Sequence, residues 1–207
     1  MDKSKLKSIL LKTAEDHIDK LLAQKLRTEP ISDWEDSVIQ TALNSNLLQI
    51  DGGYFKIDGR SWSIWTLNRE YWTHICAYYD LITSGVARPD DIQLEKHYMD
   101  IVVYNDGAPK IAIEVKVKNK EVEKLITKMK ELSVDPPLTE NDRGNDPLRK
   151  IKSILKLKPK EFWIVTPTKK WMFSINFQNT GFKLQEIEAD ISNQLKVPVP
   201  ITNPAQP

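Results

Sequence analysis

The chain has 207 residues, enough for one domain with a sizeable hydrophobic core and an extension. Its 30 basic and 29 acidic residues nearly cancel, so net charge alone predicts no polyanionic partner. The single cysteine, Cys76, excludes an internal disulfide, and the sequence lacks the His/Cys clusters of structural zinc sites. No apolar stretch is long enough to span a bilayer, and we expect an intracellular protein with no signal peptide and no membrane contact.

The N-terminal third predicts helices followed by a hairpin. Apolar residues recur at helical spacing over residues 3–27, and a second helix is predicted over about 32–46. Ser32 and Glu35 have the spacing of a capping box at the start of that second helix. Residues 47–57 alternate around a Gly-Gly pair, which predicts a β-hairpin.

The rest of the chain predicts a third helix and then an alternation of strands and helices. The third helix is expected over about 67–82. The later elements are expected as strands at about 92–104 and 110–118, a helix at about 119–133, a basic helix ending near 157, and strands at 161–166 and 171–177.

This order predicts an α/β fold: a central mixed β-sheet flanked by helices. The strand at 110–118 should continue through a helical crossover into a parallel neighbour at 161–166, because the connection is long enough. We expect three parts: an N-terminal helical extension with the hairpin at 1–65, a core at 66–196, and a Pro-rich, extended tail at 197–207.

Charged residues interrupt the two strands at the centre of this sheet. Pro109 has no N–H to give to a strand ladder, so we expect a five-residue loop that ends there. Counting back from that loop places Val103 opposite Ile111 and Ile101 opposite Ile113, on a wholly apolar face.

The other face of the same hairpin carries the charges. The register predicts that Asp100 lies opposite Glu114 and that Tyr98 lies opposite Lys116. Opposed Cβ atoms are about 4.5–5.5 Å apart, so the two carboxylates repel unless a cation lies between them. We therefore expect that removal of either acid stabilises the metal-free protein.

Two carboxylates, a backbone carbonyl (we expect that of Val115) and water are the ligands that Mg²⁺ prefers, and Mn²⁺ is expected to substitute. Lys116 would then hold or activate a water molecule or neutralise charge that develops on a phosphate. These residues predict metal-dependent hydrolysis of a phosphodiester, with Asp100 and Glu114 as metal ligands.

The pattern Asp-x13-Glu-x-Lys across a hairpin resembles the signature of the PD-(D/E)XK nuclease superfamily. The resemblance covers residues 66–177 and is greatest to archaeal Holliday-junction resolvases. It implies a restriction-endonuclease-like core, DNA as the substrate (branched or duplex), and a homodimer. Met99 stands where the family name has proline, and the residues before 66 have no counterpart in the smaller resolvases.

The family resemblance also implies a further acid from the helix before the hairpin. Glu70, in the third predicted helix, is our candidate for this catalytic and metal-binding position. Glu35 is the rival, but its place in a capping box already gives it a structural explanation.

Positive charge is concentrated near the C-terminal end of the predicted core. Residues 147–170 contain eight basic residues and one acidic residue, a local net charge of +7. This segment forms either a phosphate-facing surface or a solvated helix face. Our candidates for DNA binding are the basic residues Lys118, Arg149, Lys150, Lys152 and Lys156.

Two other functions remain open at this point. A sequence-specific, restriction-type endonuclease needs side chains that read base edges, and Arg143 and Asn145 are available for that purpose. A nuclease fold that has lost catalysis would act as a DNA-binding protein.

Overall fold

The computed structural model describes residues 31–51, 54–57, 60–63 and 68–187. The predicted helix at 3–27 and the Pro-rich tail at 197–207 lie outside the described residues. The chain divides into two compact units after Val86, and their described parts cover residues 31–86 and 87–187.

The first unit contains two of the predicted helices and a small sheet. Its elements are α1 (Asp33–Asn44), β1 (Gln49–Asp51), β2 (Tyr54–Ile57), β3 (Arg60–Ser63) and α2 (Arg69–Thr83). The strands form an antiparallel sheet in the order β1-β2-β3, which confirms the hairpin. The strand β3, of four residues, was not predicted from the sequence. The helix α2, which we assigned to the core, is grouped with this first unit.

A buried ion pair links the two helices of the first unit. The Ser32 hydroxyl accepts a hydrogen bond from the Glu35 N–H, and the Glu35 carboxylate accepts one from the Ser32 N–H, which confirms the capping box. The guanidinium of Arg69 lies 2.5 and 2.6 Å from the two oxygens of that carboxylate, and Thr73 donates to it at 2.9 Å. Glu35 is fully buried and has a sufficient structural role.

The second unit is an α/β domain with a six-stranded mixed sheet. Its elements are a short 3-10 turn (Pro89–Asp91), β4 (Ile92–Lys96), β5 (Met99–Asn105), β6 (Ala108–Val115), α3 (Asn119–Leu132), α4 (Asp146–Leu157), β7 (Glu161–Val165), β8 (Lys170–Phe177) and β9 (Phe182–Glu186). The strand order is β4-β5-β6-β7-β8-β9. The pair β6 and β7 is parallel and the other pairs are antiparallel, which confirms the predicted crossover.

The predicted strand at 92–104 is wrong, because the structure divides it into the hairpin β4–β5. The chain reverses at His97 and Tyr98, whose φ angles are 50° and 61°. Two-residue turns with positive φ normally use Asn-Gly or Asp-Gly, so this His-Tyr turn gave no signal in the sequence. Tyr98 therefore lies in a turn, two residues before Asp100.

The register predicted for the charged hairpin is confirmed: Val103 pairs with Ile111, and Ile101 pairs with Ile113. The expected five-residue loop is wrong, since Pro109 lies inside β6. The last pair of the two strands is Asn105 with Ala108, so the turn between them has two residues. A register shift beside Val103 adds one residue to β6. This bulge compensates for the shorter loop, so the register toward the charged end is unchanged.

Helices α3 and α4 cover one face of the six-stranded sheet. Apolar residues three and four positions apart on α3 (Val122, Leu125, Met129) and on α4 (Ile151, Ile154) pack into one cluster with the strands. Val102 and Ala112 belong to this cluster and are fully buried. Side chains two residues apart share a face of a strand, so the carboxylates lie at one end of the face that the helices cover.

Candidate active site

The two acidic residues of the motif lie on neighbouring inner strands of the sheet, β5 and β6. Continuing the observed register by one residue from Ile101 and Ile113 places Asp100 opposite Glu114, as predicted. Oδ2 of Asp100 accepts a hydrogen bond from the backbone N–H of Val115 at 2.7 Å. Asp100 is half-buried, whereas Glu114 is only 2% exposed.

Lys116, the third residue of the motif, contacts Glu114 directly. Its Nζ atom lies 2.7 Å from Oε1 of Glu114, and it is 3.9 Å from Oδ2 of Asp146 at the start of α4. Lys116 is 19% exposed, so its ammonium group combines a buried contact with access to solvent. The structure thus brings together Asp100, Glu114 and Lys116.

A second lysine contacts the same carboxylate from helix α4. Nζ of Lys150 lies 2.5 Å from Oε2 of Glu114 and donates a hydrogen bond to the carbonyl oxygen of Tyr98. Lys150 is 5% exposed. The sequence predicts Lys150 on the DNA-facing surface, but its ammonium group is directed into the protein at Glu114.

Helical spacing in the sequence indicates the position of Lys150. Residues four apart lie on the same side of a helix, and Lys150 is four residues before the fully buried Ile154. It therefore belongs to the edge of the apolar stripe of α4. No local pattern in the sequence predicts the contact of Lys150 with Glu114, because helix α4 and strand β6 are distant in sequence.

Opposing electrostatic effects act on the pKa of Glu114. Burial and the neighbouring Asp100 carboxylate raise the pKa of Glu114 from 4.5 to about 7, although the ammonium groups of Lys150 and Lys116 act to lower it. The carboxyl group therefore gains or loses its proton near neutral pH. A carboxyl group of this kind is sensitive to any further cation placed beside it.

The acidic groups in the described ranges fit a hard cation that keeps part of its water shell. Nowhere in those ranges do three or more His, Cys, Asp or Glu side chains form a group able to hold a metal ion. Mg²⁺ commonly binds through one or two carboxylates and retains water or substrate phosphate oxygens, so Asp100 and Glu114 would suffice. The Val115 carbonyl remains a predicted ligand.

Glu70, the predicted third acid, lies in the first turn of α2 in the first unit, and its side chain is exposed. Its catalytic and metal-binding role stays a prediction. Glu35 is explained by its buried contacts with Arg69 and Thr73.

The other predicted DNA-binding residues lie on or near α4 and at the start of α3. Lys118 and Lys156 are exposed, and Arg149 is partly exposed, with its guanidinium carbon 5.6 Å from the centre of the Tyr98 ring. Lys152 is also partly exposed, and its Nζ donates to the carbonyl oxygen of Glu140 at 2.7 Å. A role of these four residues in DNA binding stays a prediction.

Comparisons of the chain with family models, with curated proteins and with solved structures gave no match. In the part of the chain that the structure describes, no helix has the length and apolar character needed to cross a membrane.

Proposed function

We propose that this protein is a metal-dependent endonuclease that hydrolyses phosphodiester bonds in DNA, with a restriction-endonuclease-like core of the PD-(D/E)XK type. The observation that carries the proposal is the contact between Lys116 and the buried Glu114, beside Asp100 on the adjoining strand. Two opposed carboxylates repel each other, and a local cost of this kind is typical of functional sites.

The described side chains have distinct roles in this reaction. Asp100 and Glu114 would hold Mg²⁺ or Mn²⁺, and the bound ion would polarise the phosphate and lower the pKa of water. The Val115 N–H holds one oxygen of Asp100 and fixes the orientation of that carboxylate. Lys116, partly exposed, is available to orient a water molecule or to stabilise negative charge on the phosphate.

Helix α4 supports DNA as the substrate. Arg149, Lys152 and Lys156 recur at three- and four-residue spacing, so they share one side of the helix, while Lys150 is turned toward Glu114. Contacts of basic side chains with phosphates fix the position of DNA without reading its sequence. We therefore propose branched DNA, such as a four-way junction, as the preferred substrate, and a homodimer that makes two symmetric cuts.

The decisive experiment is a cleavage panel with Mg²⁺ on a four-way junction, a flap, a linear duplex and single-stranded DNA. Wild-type protein should cut the junction, and Asp100→Asn, Glu114→Gln and Lys116→Met should each abolish cutting while DNA binding persists. Lys124→Met, an exposed lysine of α3, is the matched control. Full cleavage in EDTA, or wild-type rates for the three site variants, would refute the proposal.

The same panel tests the restriction-type alternative. Cutting confined to one short sequence in linear duplex would support it. The side chain of Asn145, a candidate for base reading, caps α4 by accepting from the Leu148 N–H at 3.2 Å. That structural role leaves Arg143, which is exposed, as the remaining candidate on this loop.

A second candidate function is DNA binding without catalysis. One observation favours it: Glu114 is paired with two lysines, so the protein neutralises this carboxylate without a metal ion. Tight DNA binding without cleavage of any substrate, in either Mg²⁺ or Mn²⁺, would establish this alternative.

A further inference from the structure

Lys150 has no role in the motif or in the reaction proposed above. It reaches Glu114 from helix α4, whereas Lys116 lies on the same strand as that acid. Removing an ammonium group from water costs several kcal/mol unless close partners compensate, so a lysine that is 5% exposed is held by its contacts. Here those contacts are Oε2 of Glu114 and the carbonyl oxygen of Tyr98.

A divalent cation between Asp100 and Glu114 would need carboxylate oxygens that the lysines contact. Lys116 contacts Oε1 of Glu114 at 2.7 Å, and Oδ2 of Asp146 lies 3.9 Å from its Nζ atom. Lys150 contacts Oε2 and already donates to a second acceptor, the Tyr98 carbonyl. Lys150 can therefore release Glu114 and keep a hydrogen bond without moving to a new partner.

We propose that Lys150 is a positioning residue that holds the Glu114 carboxylate until a divalent cation binds and then yields Oε2 to that cation. It remains on the carbonyl oxygen of Tyr98 throughout. Lys150 and the cation thus compete for one oxygen atom. The inference rests on the proposed function, because it takes Asp100 and Glu114 as the cation site.

The test is calorimetric titration of the full chain with Mn²⁺, at a pH well above 7 so that Glu114 is ionised. Lys150→Met should bind Mn²⁺ about tenfold more tightly than wild type, as expected when an ammonium group that competes for Oε2 of Glu114 is removed. Lys150→Arg, which keeps the positive charge, should resemble wild type more closely. Lys124→Met, the exposed control on α3, should bind as wild type does.

The outcomes separate this inference from the proposed function. If wild type binds Mn²⁺ and Lys150→Met binds it equally or more weakly, the competition is refuted while the proposed metal site stands. If wild type binds no divalent cation, both are refuted. If Lys150 had only a structural role, Lys150→Met would change the stability of the protein without raising its affinity for Mn²⁺.

A second measurement needs no variant and covers the case in which Lys150→Met does not fold. In wild-type protein with isotope-labelled lysine, the ammonium signal of Lys150 should shift when Mg²⁺ saturates the site. The signal of the exposed Lys124 should stay in place. A Lys150 signal that does not move at saturation would overturn the inference.

Discussion

The backbone N–H of Val115 donates to Oδ2 of Asp100 at 2.7 Å, so this carboxylate is held by the strand that carries its acidic neighbour. Glu114 is held differently, by the ammonium groups of Lys116 and Lys150. The two acids of the motif therefore differ in their contribution to stability, whereas sequence alone predicted the same effect for both.

The first prediction concerns stability without metal. Glu114→Ala should lose about 3–5 kcal/mol of unfolding free energy, because it leaves the buried ammonium of Lys150 without its anionic partner. Asp100→Asn should gain up to about 1 kcal/mol, since the amide oxygen still accepts from Val115 while the like-charge repulsion disappears. Urea unfolding in EDTA measures both. Equal changes in the two variants would contradict this division of roles.

The second prediction concerns pH. The pKa of Glu114 is raised from 4.5 to about 7, so between these values the folded chain keeps a proton that the unfolded chain releases. The contribution of this proton to the unfolding free energy is fully present below pH 4.5 and is lost as the pH rises through about 7.

Glu114→Gln removes this titration and serves as the reference. The unfolding free energy of wild type minus that of the variant should fall over the same pH window, by on the order of 3 kcal/mol. Urea unfolding in EDTA at several pH values measures this difference. A difference that stays constant or rises with pH would show that the pKa of Glu114 is not raised.

The third prediction concerns DNA affinity. Lys156 is exposed on α4, whereas the ammonium group of Lys150 is directed at Glu114. Lys156→Met should weaken binding to all DNA substrates and flatten the plot of log affinity against log salt by about 0.9. Lys150→Met should leave this slope unchanged. Fluorescence anisotropy at several salt concentrations measures this slope. A flattened slope for Lys150→Met alone would contradict the prediction that Lys156, and not Lys150, contacts DNA.

The fourth prediction concerns packing at the edge of the sheet. A Cβ atom on Gly181 would lie 2.0 Å from the backbone oxygen of Ser133 and 2.6 Å from that of Val134. Gly181→Ala should therefore lose about 3 kcal/mol or more of unfolding free energy, because backbone atoms must move.

Gly107→Ala is the matched control for the same substitution in open space. Its φ is +77° and nothing lies within 4 Å of the added atom, so only backbone strain of about 1–2 kcal/mol is expected. Denaturant midpoints of the two variants give the comparison. A smaller loss for Gly181→Ala than for Gly107→Ala would contradict the close approach at Gly181.

Local patterns in the sequence determined most of the sheet of the second unit. Apolar alternation in β5 and β6 determined which side chains share a face, because a slip of one residue would exchange the two faces, and counting back from the expected loop gave the register. The connection between β6 and β7 is long enough for a helical crossover, which allowed the parallel pair to be predicted. The opposition of Asp100 and Glu114 followed from that register, although the expected loop at Pro109 was wrong.

Tertiary structure alone decided that Lys150 joins the charges predicted at the site. The turn at His97 and Tyr98 contains none of the Gly, Asn or Asp residues that mark two-residue hairpin turns, so only the pairing of β4 with β5 revealed it. The contact of Lys150 with Glu114 depends on how α4 packs across the sheet. Helical spacing determines the side of α4 on which Lys150 lies, but the partner of a buried charge depends on packing between elements that are distant in sequence.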